Sequence, residues 1–277
     1  MLVRICSEAI RLNIPYVLTP HGGLAPEELG RNRFKKSLYS ALVERARFEK
    51  AHGITVLTSI EEYSVRSFAP RYLGPIMPIA NPIDVEFSRA IRRGTIVTKS
   101  RPKLIYLGRL DVIQKGIDIL FAIAGALPNI ELHLYGEATA RSKTSLPNLM
   151  RSKPKNVFLH DPVFGQQKAK VLSEADMYLQ CSRWEGFSIS IVEAMAAGLP
   201  IVISDTMNLA PLIESLDLGL VVPLEAEAAA TMISDALENP AKLSAWSKTG
   251  RRHALEQFCG KKISAEYVNF YQQAISS

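Results

Sequence analysis

Short apolar runs alternate with helix-forming stretches through residues 95–256, and this alternation constrains the fold more than any other feature of the sequence. Most of the apolar runs have strand length, and several are apolar on consecutive residues, as in a parallel sheet covered on both faces. The predicted strands are 104–108, 130–135, 156–159, 177–181, 200–203 and 219–222, with predicted helices over 117–127, 166–175, 188–197 and 226–238. Residues 95–256 therefore predict a doubly wound α/β domain.

Residues 1–80 are expected to form part of a second domain of the same type. The predicted elements are a helix over 2–12, a strand over 15–19, a long helix over 33–50, a strand over 53–57, a helix over 60–68 and a strand over 75–80. Residues 81–94 are predicted to be a linker, because Pro82 fixes its own backbone and restricts Asn81. A last helical stretch within 257–277 is predicted to pack back on the N-terminal part.

The composition is that of an ordinary packed protein. The chain has 277 residues, 47% hydrophobic and 22% charged, with a net charge of +6, which excludes disordered and coiled-coil classes. Its three cysteines (Cys6, Cys181 and Cys259) are widely spaced, which argues against a disulfide framework or a zinc site and favours the reducing cytoplasm. The sequence has no apolar run of membrane-spanning length, and charges near the N-terminus argue against a signal peptide.

The densest chemical signal lies in residues 182–200. Glu185 and Gly186 follow the predicted strand 177–181, and a helix is predicted to begin near Ser188. This order places Glu185 and the helix N-terminus at the carboxyl edge of the sheet, where ligands bind in parallel α/β proteins. The backbone N–H groups from Gly186 to Ile189, together with the helix dipole, would attract a phosphate.

Charged groups at matching positions complete the predicted site. Glu193 lies eight residues after Glu185, and Arg109 and Lys115 lie in the loop after strand 104–108, at the same edge. Arg109 suits bidentate contact with phosphate oxygens, and Lys115 supplies a second cation. Taken singly, each residue has an ordinary explanation: Glu193 completes a capping box with Ser190, and the other three are solvated charges. Their conjunction at the ends of different strands favours a binding site.

These motifs resemble those of the retaining family 4 (group 1) glycosyltransferases of the GT-B fold. The matching features are Gly-Arg-Leu at 108–110 followed by Lys-Gly at 115–116, the Glu-x7-Glu block at 185–193, His21-Gly22, the segment 81–84 and Gly219-Leu-Val-Val-Pro. The similarity runs from about residue 10 to the C-terminus. It implies a GT-B-like α/β fold with one complete Rossmann-like domain and a partial second one.

The resemblance implies a role for each matching residue in a reaction that uses a nucleotide-diphosphate sugar as co-substrate. Arg109 and Lys115 would hold the diphosphate, and Glu185 would contact hydroxyls of the donor sugar. Other implied donor contacts are backbone groups of Gly186, Phe187, Ser188 and Ile189, ribose hydroxyls at Glu193 and the nucleobase at Val163. His21 would lie near the transferred sugar, with a buried core histidine as the alternative. Retention of configuration without a metal or other cofactor is also implied.

The sequence departs from the family pattern at its start. The first strand and Gly-rich loop of the family's N-terminal domain have no counterpart, so about half of that domain is expected to be absent. A non-catalytic nucleotide-sugar-binding or scaffolding remnant, or one half of a split enzyme, is therefore the alternative to a glycosyltransferase of cell-surface polysaccharide or glycoconjugate synthesis. The loop 204–211 and the segment 136–139 also lack glycines common in the family.

Residues 31–50 form a basic segment with seven Lys or Arg against two Glu. Attraction to an anionic membrane surface is one interpretation, which suits a lipid-linked glycan acceptor at the inner face of the membrane. A solvated helix face packing its apolar stripe on the sheet is the other interpretation. Nucleic acid is not expected as a partner, because no recognised motif or aromatic platform is present.

Overall fold

A computed structural model describes residues 2–24, 44–91 and 100–276. The described chain divides into two compact units. The first comprises Met1–Pro82 with Lys261–Ser277, and the second comprises Ile83–Gly260. Both are built from parallel strands and helices, as the alternation of the sequence predicts.

The first unit contains a three-stranded parallel sheet in the order β1-β2-β3. Its elements are α1 (Leu2–Arg11), β1 (Val17–Leu18), α2 (Arg45–Glu49), β2 (Gly53–Val56), α3 (Ser59–Phe68), β3 (Ile76–Pro78) and α12 (Gly260–Ser276). The C-terminal helix α12 packs here because Phe270 and Ile263 are buried with Ile79. Gly53 lies under the Phe270 ring, where a Cβ atom would come within 2.8 Å of it.

The second unit contains a six-stranded parallel sheet in the order β6-β5-β4-β7-β8-β9. The first elements are α4 (Val85–Ala90), β4 (Lys103–Leu107), α5 (Ile117–Ala126), β5 (Glu131–Tyr135), α6 (Ser142–Met150), β6 (Val157–His160) and α7 (Gly165–Glu174). The remaining elements are β7 (Met177–Gln180), α8 (Ile189–Ala196), β8 (Ile201–Ser204), α9 (Ala210–Ser215), β9 (Gly219–Val222), α10 (Ala226–Leu237) and α11 (Pro240–Gln257). All six strands predicted in this region are present, so the prediction of a doubly wound fold is confirmed.

Consecutive apolar residues place this sheet in a continuous core. Strands β4, β7 and β8 are buried along nearly their whole length, because helices cover both faces. Helix α5 packs on α10, and α8 packs on α11. Trp246 of α11 is buried in this core and donates its indole N–H to Asp217 at 2.6 Å.

The second unit begins before residue 95, inside the segment predicted to be a linker. Asp84 caps α4 by accepting a hydrogen bond from the backbone N–H of Phe87 at 2.9 Å. Ile83 pairs with Cys259, and Arg251 donates to the carbonyl oxygen of Ser88 at 3.3 Å. Residues 83–91 therefore belong to the second unit, where α4 packs on α7 and α8.

Most of the basic segment 31–50 lies outside the described residues, and so does the membrane contact predicted for it. Within the described part, Arg45 donates to the carbonyl oxygen of Phe68 at 2.8 Å. Arg47 is buried and pairs with Glu44 at 2.6 Å. Both side chains therefore make contacts inside their own unit. Across residues 2–24, 44–91 and 100–276, every helix is too short or too polar to span a lipid bilayer.

Candidate functional site

A cavity of about 540 Å³ opens at the carboxyl edge of the six-stranded sheet. Its lining comes from four neighbouring strands: Leu107 ends β4, Tyr135 ends β5, residues 162–164 follow β6, and Glu185 follows β7. The strand order reverses between β4 and β7. The cavity therefore lies at the topological switch point, where ligands bind in sheets of this class.

The structure brings most of the predicted site residues together in this cavity. The predicted residues that line it are Arg109, Lys115, Val163, Glu185, Phe187, Ser188, Ile189 and Glu193. Gly186 lies between two lining residues without lining the cavity itself. Two charged residues that sequence reasoning missed, Glu137 and Lys168, also line it.

Side-chain hydrogen bonds shape the loop that carries Arg109 and Lys115. The carboxylate of Asp111 accepts from the backbone N–H groups of Ile113 at 3.1 Å and Gln114 at 2.8 Å. The backbone N–H of Lys115 donates to the carbonyl oxygen of Asp111 at 3.0 Å. These bonds close a turn of the kind that aspartate favours, and the turn fixes where the Lys115 side chain starts.

Gly116 lets this loop approach the end of β7. Its φ of 62° is in the left-handed region, and a Cβ atom there would lie 2.0 Å from the carbonyl oxygen of Cys181. A larger residue would have to push the loop away from β7. The close approach therefore brings Lys115 next to the segment that holds Glu185.

Arg183 links the loop after β4 to the loop after β7. Its backbone N–H donates to the carbonyl oxygen of Gln114 at 2.9 Å, and its guanidinium donates to that of Ile113 at 3.0 Å. The guanidinium also makes a bidentate pair with Asp118, at 2.9 and 2.6 Å, which raises the pKa of Arg183. Arg183 thus sets the distance between the loop after β4 and the loop after β7.

Lys115 and Glu185 form an ion pair inside the cavity. Their side chains are only 11% and 14% exposed. Burial lowers the pKa of Lys115 from its usual 10.5 to about 8; the charge of Arg109 adds to this effect, and that of Asp111 opposes it. Gln180 also donates to the Glu185 carboxylate, at 3.4 Å.

A buried polar network supports the start of α8. Ser188 donates to the side-chain oxygen of Gln180 at 3.0 Å, and Tyr178 donates to Ser190 at 2.8 Å. Gln180 in turn donates to Ser182 at 3.0 Å. These groups hold the first turn of α8 against the end of β7, so the positive end of the helix dipole lies at the cavity.

Glu193 does not form the capping box that was one explanation for it. Helix α8 begins at Ile189 with Ser188 as its N-cap, so Ser190 is already inside the helix. Glu193 pairs instead with Lys168 of α7, with 2.5 Å between Nζ and Oε2. Both residues line the cavity, so Glu193 is part of the candidate site.

The loop after β8 stabilises the segment 182–185 by hydrogen bonds to its backbone. The backbone N–H of Asn208 donates to the carbonyl oxygen of Glu185 at 3.1 Å. The hydroxyls of Ser204 and Thr206 both donate to the carbonyl oxygen of Ser182 at 2.8 Å. One backbone N–H and two hydroxyls therefore hold the carbonyl groups of Glu185 and Ser182 in place.

His21 lies in the first unit, in the turn after β1, with a φ of 48°. Its side chain is exposed, so the alternative of a buried core histidine is wrong. Burial raises the pKa of Glu61, whereas the hydrogen bond from the backbone N–H of Leu57 and the nearby His21 lower it. The predicted role of His21 near the transferred sugar stays a prediction.

No group of three or more His, Cys, Asp or Glu side chains is arranged to hold a metal ion in the part of the chain that the structure describes. The cations that line the cavity are Arg109, Lys115 and Lys168. An anionic ligand would therefore meet side-chain charges of this chain.

The fold and the cavity define the class of protein as GT-B-like. The sucrose-phosphate synthase of Thermosynechococcus elongatus matches with a TM-score of 0.79 and 22% identity, over 98% of this chain and 71% of that chain. HepE of Anabaena, in complex with UDP-glucose, matches with a TM-score of 0.80 and 17% identity, over 98% of this chain and 76% of that chain. At these identities the likeness concerns the fold alone.

The chain belongs to the family of group 1 glycosyl transferases, which matches residues 88–253. The MMP alpha-(1->4)-mannosyltransferase of Mycolicibacterium hassiacum is 27% identical over 181 residues, 64% of this chain and 44% of that protein. The chain spans about half the length of the first curated relatives that it matches. The family match confirms the resemblance predicted from the two motifs.

Proposed function

We propose that the protein transfers a sugar from a nucleotide-diphosphate sugar to an acceptor hydroxyl, with retention of anomeric configuration. The observation that carries the proposal is the convergence of Arg109, Lys115 and the first turn of α8 on one cavity. A diphosphate there would meet two cations and the positive end of a helix dipole. The mannosyltransferase relative and the UDP-glucose complex of HepE support a hexose donor.

Glu185 and Lys115 act at the reacting end of the donor in this proposal. Glu185 accepts hydrogen bonds from hydroxyls of the donor sugar, and its pairing with Lys115 keeps the ammonium beside the diphosphate. The bond between the anomeric carbon and the phosphate oxygen breaks, and the acceptor oxygen bonds to the same face of that carbon. The departing phosphate takes the acceptor proton, and Arg109 and Lys115 stabilise its charge. Stabilisation of this kind is often the largest single catalytic effect.

The remaining contacts fix the nucleoside. Glu193 accepts from the ribose hydroxyls, and the backbone at Val163 contacts the nucleobase, since both residues line the same cavity. Backbone groups of residues 186–189 contact the sugar and phosphates. Because Arg109 and Lys115 supply the positive charge, transfer is expected to continue in the presence of EDTA.

The acceptor is proposed to be a glycan or lipid-linked glycan in polysaccharide or glycoconjugate synthesis. The three free cysteines, Cys6, Cys181 and Cys259, support a reducing compartment such as the cytoplasm. Peripheral membrane contact through residues 31–50 stays a prediction.

A thermal-shift series with UDP-glucose, GDP-mannose and ADP-glucose tests the proposal, followed by an assay for nucleoside diphosphate release with a membrane extract as acceptor source. At least one donor should raise the melting temperature, because a ligand that binds only the folded state stabilises it. The same donor should then be turned over. Binding without turnover would favour the non-catalytic nucleotide-sugar-binding role, and no binding of any donor would refute both.

A further inference from the structure

Lys168 is a cavity residue that the two sequence motifs do not contain. It lies in the first turn of α7, four residues after Phe164, which precedes that helix. Its Nζ lies 2.5 Å from Oε2 of Glu193, and the two side chains are 21% and 17% exposed. The pair joins α7 to α8 across the wall of the cavity.

A second contact holds the Lys168 side chain in place. Its Nζ lies 5.9 Å from the centre of the Phe87 ring, within the range of a cation–π interaction. Phe87 belongs to α4, which packs on both α7 and α8. Lys170, two residues further on, contrasts with it: its side chain is 75% exposed and faces Glu174 at 3.9 Å.

The charges of the cavity explain why Glu193 needs this partner. Its lining holds three carboxylates (Glu137, Glu185 and Glu193) and three cations (Arg109, Lys115 and Lys168). Without Lys168, the cavity would have an excess of negative charge, and Glu193 would be a largely buried carboxylate without its cation. Both conditions oppose the binding of an anionic ligand and cost free energy.

We propose that Lys168 is a positioning residue for the nucleoside of the donor, an inference that rests on the proposed function. Lys168 holds Oε2 of the Glu193 carboxylate and so fixes the direction in which the group points. A carboxylate accepts hydrogen bonds at both oxygens, so Oε1 can accept from a ribose hydroxyl while Oε2 stays with the lysine. Lys168 thereby makes the site selective for a ribose over a 2′,3′-dideoxyribose.

The experiment compares Lys168→Met with Lys170→Met, which removes the same charge from the same helix outside the cavity. Isothermal titration calorimetry measures the affinity of UDP, GDP and ADP, and then of the 2′,3′-dideoxy form of the tightest ligand. Lys168→Met should weaken the ribonucleotide about tenfold and the dideoxynucleotide less than about threefold, the scale of one charged hydrogen bond. For the donor sugar, KM should rise by a similar factor with little change in kcat.

A second background keeps the inference testable if Lys168→Met folds poorly. Glu193→Gln removes the unpaired carboxylate, so Lys168→Met in the Glu193→Gln background should fold and bind no more weakly than Glu193→Gln alone. A further tenfold loss in that background would overturn the inference, because Lys168 would then act independently of Glu193.

The outcomes separate this inference from the proposed function. If a ribonucleotide binds the wild type and Lys168→Met behaves like Lys170→Met, only the role of Lys168 is refuted. Equal losses for the ribonucleotide and the dideoxynucleotide also refute it, since the effect would not depend on the ribose hydroxyls. If none of the three nucleotides binds the wild type, the proposed function falls and the inference falls with it.

Discussion

Lys115 and Glu185 are separated by 70 positions in the chain and form an ion pair at the carboxyl edge of one parallel sheet. They meet because β4 and β7 are neighbours in the sheet, although three helices and two strands separate them in the sequence. Three features fix the loops after β4 and β7: the turn closed by Asp111, the close approach at Gly116 and the hydrogen bonds of Arg183. These contacts therefore hold the two loops at the spacing at which Lys115 and Glu185 pair.

Replacing either member of this pair should damage transfer much more than folding. Lys115→Ala should lower kcat/KM by at least about 100-fold, the scale of losing one electrostatic contact to a transition state. Glu185→Ala should lower kcat/KM at least as much, because hydroxyls of the donor sugar lose the carboxylate that accepts from them and Lys115 loses its ion-pair partner. Steady-state kinetics with the preferred donor measure both effects, and circular dichroism checks the fold. Full activity in either variant would show that the assigned role is wrong.

The pH dependence of donor binding should report the pKa of Lys115. Burial lowers this pKa to about 8, so the ammonium is half deprotonated at that pH and mostly deprotonated at pH 9, where the diphosphate has lost a cation. The affinity should fall roughly fivefold between pH 8 and pH 9 for one such group. Lys115→Arg should bind nearly independently of pH over this interval, because a guanidinium stays charged. A wild-type affinity that is constant up to pH 10 would contradict the account.

A rise in pH weakens donor binding through Lys115, but through the same residue it increases the stability of the folded protein. The unfolded chain binds a proton at Lys115 up to its usual pKa of 10.5, whereas the folded chain releases it near 8. Between these values the unfolded state binds more protons, so the contribution of Lys115 to the free energy of unfolding rises with pH. A loss of binding near pH 9 is therefore not explained by unfolding at this residue, and a thermal melt at each pH provides the control.

Arg183→Met should loosen the two loops that form the site. The guanidinium has a bidentate carboxylate partner and backbone acceptors, but it is about one-third exposed, so we expect a loss of only about 1–2 kcal/mol in stability. Donor affinity should fall as well, because the spacing between Lys115 and Glu185 is no longer held. Arg89→Met, in the exposed pair with Glu86 at 3.7 Å, is the matched control and should change neither quantity. If Arg183→Met and Arg89→Met had the same stability and the same donor affinity, Arg183 would not hold the two loops together.

Gly116→Ala should destabilise the protein more than Gly165→Ala. Both glycines have positive φ, 62° and 50°, but a Cβ atom at Gly165 meets nothing within 4 Å, whereas one at Gly116 meets the carbonyl oxygen of Cys181. Gly165→Ala therefore measures backbone strain alone, about 1–2 kcal/mol. Gly116→Ala adds the steric clash and should cost more and weaken donor binding. Equal losses in denaturant melts would mean that the close approach to β7 does not matter.

The sequence predicted the sheet and most of the cavity because both depend on local patterns. Consecutive apolar residues mark strands such as 104–108, and charged or glycine residues directly after them mark the carboxyl edge. Helix α11 was not predicted, because its buried face includes the small residues Gly250 and Ala254, which give little hydrophobic pattern. Helix α6 was also missed, since it contains Pro147 and proline usually ends a helix.

The pairings within the site were beyond sequence reasoning. Lys168 meets Glu193, and Arg183 meets Asp118, through contacts between separate elements that no spacing rule encodes. A signal for Lys168 did exist: it lies in the first turn of a helix that follows a strand, close to Val163 at the predicted edge. Arg183 lies next to the Glu-x7-Glu block in the sequence, but its bonds to the loop that carries Lys115 can be recognised only from the fold.

The most direct measurement is the affinity of nucleosides and of their diphosphates, determined by calorimetry. The ligands are uridine, guanosine and adenosine with their diphosphates, and the proteins are the wild type and Lys115→Ala. One diphosphate should bind the wild type at least about 100-fold more tightly than its nucleoside. Lys115→Ala should remove most of this difference and leave the nucleoside affinity unchanged. A wild-type protein that binds the nucleoside and its diphosphate equally well would contradict the account.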